Sequence, residues 1–139
     1  MTRPRFHLAF PVRDLAEARA FYGQLLGCQE GRSSDEWVDF DFFGHQIVAH
    51  LSPSEGGAEG SNCVDGEIVP VRHFGVILEM PEWRDLADAL SRAGLDFLIE
   101  PGVRFKGQLG EQATLFIRDP SGNTLEFKAF AHDTMVFAR

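Results

Sequence analysis

An internal repeat constrains this chain more than any other feature of its sequence. His7 and His73 each sit in a short apolar strand that opens a series of elements, 73 − 7 = 66 residues apart. A helical segment follows each strand, Asp14–Gly27 in the first case and Pro81–Gly94 in the second. Trp37–Phe43 then matches Ala113–Arg118, and Gly44–Leu51 matches Gly122–Phe130. A βαβββ unit of this size buries its own sheet face poorly, so two copies are expected to pack together around a shared cleft. The expected fold class is α+β, with two tandem βαβββ modules forming a cleft-shaped mixed sheet. At 139 residues the chain reads as a single domain: module one spans about 4–52, a linker about 53–67 and module two about 68–131.

Local signals support this order. Asp14 reads as a helix N-cap with Glu17 completing a capping-box pair. Leu15, Ala18, Phe21, Tyr22, Leu25 and Leu26 recur at helical spacing, and Gly27 ends the run, which predicts a helix from about Leu15 to Leu26. Ser52–Gly66, rich in Ser, Gly, Glu, Asn and Asp, reads as a linker mobile at its centre. In the second module Trp83, Leu86, Ala87 and Leu90 form an apolar stripe. Phe97–Glu100 reads as a short strand and Arg104–Glu111 as a polar loop.

A net charge of −8 disfavours a general nucleic-acid or membrane-surface role. No apolar run approaches transmembrane length, and the basic N-terminus lacks the apolar stretch of a signal peptide. Cys28 and Cys63 show no ligand-like spacing, so neither a disulfide scaffold nor a zinc finger is implied. A cytoplasmic protein is the expectation.

The chemistry centres on the last strand. Asp119-Pro120-Ser121-Gly122-Asn123 is strong turn chemistry, and the strand that follows alternates. Leu125 and Phe127 share one face; Thr124, Glu126 and Lys128 share the other. A glutamate in the middle of an apolar strand needs a partner, and His7 and His73 each lie in a strand from which they can face inward. Two neutral imidazoles and one carboxylate leave further metal positions open to water or substrate, a set that suits Fe, Mn, Co, Ni or Zn. Taken singly, a strand histidine is more often a core or surface residue than a ligand. As a set at equivalent repeat positions, His7, His73 and Glu126 favour a metal.

Arg104, Lys106 and Gln112 lie in or just after the polar loop. Cations beside a cleft are candidates to hold an anionic or enolate oxygen of a substrate. A solvated loop is the plainer reading of the same residues. His45 and His132 are given no role, and Tyr22 is expected in the core.

These stretches resemble the vicinal oxygen chelate superfamily, which includes lactoylglutathione lyases (glyoxalases), extradiol dioxygenases, fosfomycin-resistance proteins and bleomycin-binding proteins. The resemblance is carried by Phe6–Leu15 with Ala20–Gly27, by His73-Phe74-Gly75-Val76, and by Asp119–Phe127. It implies a glyoxalase-like fold, a divalent metal held by His7, His73 and Glu126, and a homodimer. The glyoxalase pattern has a further glutamate ligand in the first module. Setting Gly44 against Gly122 puts Val48 at that position, with His50 next on the same face. Val48 cannot bind a metal, so the resemblance favours a His–His–Glu site of the dioxygenase or fosfomycin-resistance kind. His50 is open to three readings: a fourth ligand, a catalytic acid/base, or a partly buried strand histidine.

The expected function is therefore a divalent-metal-dependent enzyme chelating a small oxygenated substrate, dioxygenase-like rather than glyoxalase. One alternative is a lyase, isomerase or transferase of the same superfamily. The other is a non-catalytic protein that sequesters a small molecule such as an antibiotic.

Overall fold

A computed structural model describes residues 3–52, 61–64 and 66–138. The chain forms two compact units, Met1–Gly57 with Asp119–Asn123, and Ala58–Arg118 with Thr124–Arg139.

In the first unit β1 (His7–Val12) leads into α1 (Leu15–Ala18), then β2 (Gln29–Ser33), β3 (Trp37–Phe42) and β4 (His45–Leu51). The sheet order is β1-β4-β3-β2, with β1 parallel to β4 and the other pairs antiparallel. Asp14 caps α1 as expected, its carboxylate accepting from the Glu17 N–H. The predicted helix keeps its length but changes its winding: Arg19–Leu25 is π-helical, with the Leu26 N–H bonded five residues back to the Phe21 carbonyl. Phe21 and Tyr22 are both buried, and the Tyr22 ring contacts Phe10, Phe21 and Phe40. β2 gave no sequence signal because all five of its residues are exposed; it is a polar edge strand without an apolar alternation to read.

The second unit repeats the order. β7 (Phe74–Ile77) leads into α2 (Met80–Arg92), β8 (Ile99–Arg104), β9 (Gln112–Arg118) and β10 (Thr124–Phe130), in sheet order β7-β10-β9-β8. Leu125, Phe127 and Ala129 are fully buried, and the Trp83 indole N–H of α2 donates to the Phe127 carbonyl at 2.8 Å. Each unit is thus a four-stranded mixed sheet in βαβββ order. Ahead of β7 stands a hairpin of β5 (Ser61–Val64) and β6 (Glu67–Pro70). The expected linker is therefore partly strand; its residues 53–60 and 65 lie outside the described residues. Val69 of this hairpin packs with Ile99 and Phe116.

The expected short strand Phe97–Glu100 is also corrected: β8 begins at Ile99. β8 runs on to Arg104 through Pro101 and Gly102, with an irregularity between Ile99 and Gly102. Pro-Gly reads as a turn in sequence, but β8 is an edge strand, where the missing N–H of proline breaks no ladder.

The turn 119–123 belongs to the first unit although it joins two strands of the second. Asp119, 4% exposed, organises it. One carboxylate oxygen accepts the N–H groups of Ser121 and Asn123 at 2.9 and 2.8 Å. The other accepts the Tyr22 hydroxyl at 2.8 Å and the Asn123 amide at 2.9 Å. Asn123 also donates to the Pro11 carbonyl, and the Arg13 N–H donates to the Ser121 hydroxyl. Burial, and then the charge of Asp119, push the Tyr22 pKa well up, so the phenol remains a donor. Tyr22 is core as expected, with a polar duty added. Tyr22→Phe deletes one donor to a buried carboxylate and is expected to lower stability by about 1–3 kcal/mol, measured as a shifted urea midpoint with an unchanged m-value.

Candidate metal centre

Glu126 owes its position to its strand neighbours. In β10 it lies opposite Gly75 of parallel β7 and Phe116 of antiparallel β9. The approach to β7 is very close: a Cβ built on Gly75 would lie 1.5 Å from the Glu126 carbonyl oxygen. Only glycine fits there. In the first unit the matching pair, two residues beyond His7, is Ala9 with Val48. The register thus places Val48 where the second unit has Glu126, and Val48 is buried.

The Glu126 side chain is enclosed and almost fully occupied. One carboxylate oxygen is 3.2 Å from His73 Nε2. The other accepts the Thr114 hydroxyl and lies 3.8 Å from Arg104 Nη1. His73 stands just before β7 rather than within it, with its side chain 28% exposed and Nδ1 2.7 Å from the Pro70 carbonyl. A carbonyl only accepts, so Nδ1 carries the proton and Nε2 is the atom turned to Glu126. Burial opposes ionisation of Glu126, yet hydrogen bonds from His73 and Thr114 outweigh it and hold its pKa below the usual range. The hydrogen bond to Glu126 in turn raises the His73 pKa against the effect of burial. Phe116 packs beneath both groups, 5.1 Å from the His73 ring and 5.1 Å from the Arg104 guanidinium carbon.

Arg104 is the site's least satisfied residue. Sequence placed it at the start of a polar loop, as a substrate-binding candidate with a solvated loop as the plainer reading; it is instead the last residue of β8 and 5% exposed. Its Nε and Nη2 have no hydrogen-bond partner, with Glu67 3.7 Å away. A buried guanidinium with spare N–H groups is costly to leave so, and it is suited to receive an anionic oxygen. Gln112, opposite Arg104 in the ladder, is buried and donates to the Gly110 carbonyl. Lys106 is exposed in the turn beyond β8, and His50 is exposed on β4, paired with Pro11 and Trp37.

His7 stands in β1 of the first unit, exposed, with Nδ1 2.7 Å from Gln46 Oε1. The Gln46 amide N–H donates to Asp39 at 3.1 Å. Among the described residues no three His, Cys, Asp or Glu side chains are gathered as a metal-holding group. The structure assembles His73 with Glu126 as a pair. The donor chemistry of that pair fits a divalent cation: imidazole Nε2 and a carboxylate oxygen face each other, and each group's other polar atom is tied to a protein partner.

Thr114, Phe116, Glu67 and the Pro70 carbonyl were not foreseen from sequence. Alternation in β9 puts Thr114 and Phe116 on one face, and that signal was available. The Pro70 carbonyl and Glu67 depend on the hairpin, which no local pattern announced. Gly75→Ala is expected to lower stability by about 3 kcal/mol or more, because the obstruction is backbone. Gly102→Ala, where the nearest atom is 3.7 Å away, is the control with little effect. Urea denaturation of the two variants measures the difference.

The sequence profile of the Glyoxalase/Bleomycin resistance protein/Dioxygenase superfamily matches residues 6–127. A glyoxalase/bleomycin resistance protein/dioxygenase from Alicyclobacillus acidocaldarius is 37% identical, with a TM-score of 0.83 over 96% of each chain. A fosfomycin resistance protein from Listeria monocytogenes is 16% identical, with a TM-score of 0.71 over 97% of this chain and 98% of that one. A lactoylglutathione lyase from Agrobacterium tumefaciens is 17% identical, with a TM-score of 0.67 over 92% of this chain and 94% of that one. The last two show likeness of fold alone. No curated protein matches the chain. No helix among the described residues is long and apolar enough to cross a membrane. The profile spans nearly the whole chain, both βαβββ units included, and on that ground the chain belongs to the Glyoxalase/Bleomycin resistance protein/Dioxygenase superfamily.

Proposed function

We propose that this protein is a divalent-metal-dependent enzyme acting on a small oxygenated substrate, with His7, His73 and Glu126 as the metal ligands. The observation that carries the reading is the buried Glu126 carboxylate, facing His73 Nε2 on one side and a guanidinium with unpaired N–H groups on the other. A divalent metal, when bound, supplies Lewis acidity toward substrate oxygens.

The chain's own residues supply the rest. Thr114 and the Pro70 carbonyl fix the orientation of Glu126 and His73, which preorganises the donors. Arg104 offers Nε and Nη2 to an anionic oxygen, so the substrate carries negative charge or develops it during reaction. Val69, Ile99 and Phe116 form an apolar cluster that limits water at this end of the sheet. Lys106, exposed beyond β8, adds a cation, and Gln112 braces the ladder position opposite Arg104. His50 is assigned as an acid/base group on the first unit's sheet. Val48 at the register of Glu126 removes the fourth ligand of the glyoxalase pattern, which favours dioxygenase-like chemistry over that of a glyoxalase. A homodimer in the cytoplasm belongs to the same proposal.

Metal analysis of protein purified without added metal tests the reading. About one divalent ion per chain is expected, lost in His7→Ala, His73→Ala and Glu126→Ala variants that still fold. Wild-type protein that takes up no metal under any loading condition removes the enzyme reading in favour of simple sequestration of a small molecule. Bound iron with oxygen uptake on a catechol panel supports the dioxygenase form; bound iron without uptake moves the assignment to the non-redox members.

A further inference from the structure

We infer that Gln46 and Asp39 are positioning residues that set the tautomer of His7 and so present its Nε2 as the metal-binding nitrogen. The inference rests on the metal-site reading above. Its chemistry follows from which atoms can donate. The Asp39 carboxylate, 8% exposed, only accepts, and the Gln46 amide approaches it with Nε2 at 3.1 Å. The amide is thereby oriented, and its oxygen is the atom left for His7. That oxygen also only accepts, so His7 Nδ1, 2.7 Å away, carries the proton. A neutral imidazole with its proton on Nδ1 has its lone pair on Nε2.

Strand register builds this chain of contacts. His7 lies opposite Gln46 across the parallel β1–β4 pair, and Asp39 lies one pleat along, opposite Val48 across β3–β4. The three side chains therefore share one sheet face. His73 is held through the same nitrogen, Nδ1, by a different acceptor, the Pro70 carbonyl, while its Nε2 faces Glu126. Two histidines at equivalent repeat positions thus have Nδ1 fixed by unrelated partners. His7 and Gln46 are both exposed, so their hydrogen bond adds little to fold stability and a purely structural role explains it poorly.

The test uses the full chain as wild type, Gln46→Leu and Asp39→Asn. Nitrogen-15 spectra of the histidine rings in metal-free protein, taken at alkaline pH, report each tautomer directly. Zinc titration against a competing chelator reports affinity, and thermal melts report folding. His7 is expected as the Nδ1-protonated form in wild type and as a mixture in both variants, with His73 unchanged. Zinc affinity is expected to fall roughly 10–100-fold in Gln46→Leu, with the melting temperature little altered. Asp39→Asn, which lets the Gln46 amide turn over, is expected to fall between, and it carries both readouts if Gln46→Leu fails to fold. A wild-type His7 protonated on Nε2 overturns the inference. So does wild-type and Gln46→Leu protein binding zinc equally well. Wild-type protein that binds no zinc overturns the metal-site reading itself, a result distinct from either.

Discussion

The candidate site depends on one close contact between backbones. Gly75 and Glu126 face each other across β7 and β10 at a distance that leaves no room for a Cβ. This approach seats the glutamate beside the residues at the start of β7, where His73 stands. The first unit shows what the same register does without the constraint: Ala9 has its methyl and faces Val48, an apolar residue that asks nothing of its neighbours. The repeat is preserved in topology and broken in chemistry at this one ladder position.

Two buried carboxylates differ in how far the protein itself satisfies their surroundings. Asp119 accepts from two backbone amides, a phenol and an amide side chain, so its capacity is filled by the protein. Burial of such a group is compatible with a purely architectural role. Glu126 is also buried, but its surroundings are unbalanced. The guanidinium nearby is not within hydrogen-bond distance and keeps unpaired N–H groups, while its other carboxylate neighbour, Glu67, is equally distant. A buried guanidinium in that condition costs free energy.

His7 and His73 are both held through Nδ1, one by an amide backed by a carboxylate and one by a backbone carbonyl. The two modules therefore hold their opening histidines with different parts. This is expected of a repeat whose sequence has diverged while the sheet register has not. Register is the quantity that keeps side chains on a given face, and a slip of one residue would turn every one of them away.

Local sequence determined the repeat, the βαβββ order, the Asp14 cap, the stops at Gly27 and Gly94, and the face of β10 that carries Glu126. These follow from periodicity and turn chemistry, which act over a few residues. Sequence also placed Val48 at the register of Glu126, because matching turns fix matching registers. Tertiary structure decided what depends on neighbours distant in the chain. It drew the polar β2 into a sheet edge and carried β8 through Pro101-Gly102 to bury Arg104. It turned part of an apparent linker into the hairpin that supplies Pro70 to His73, and it placed Gln46 beside His7 and Asp39 beside Gln46. None of those residues carries a local signal, because a hydrogen bond across 39 residues exists only once the strands have paired.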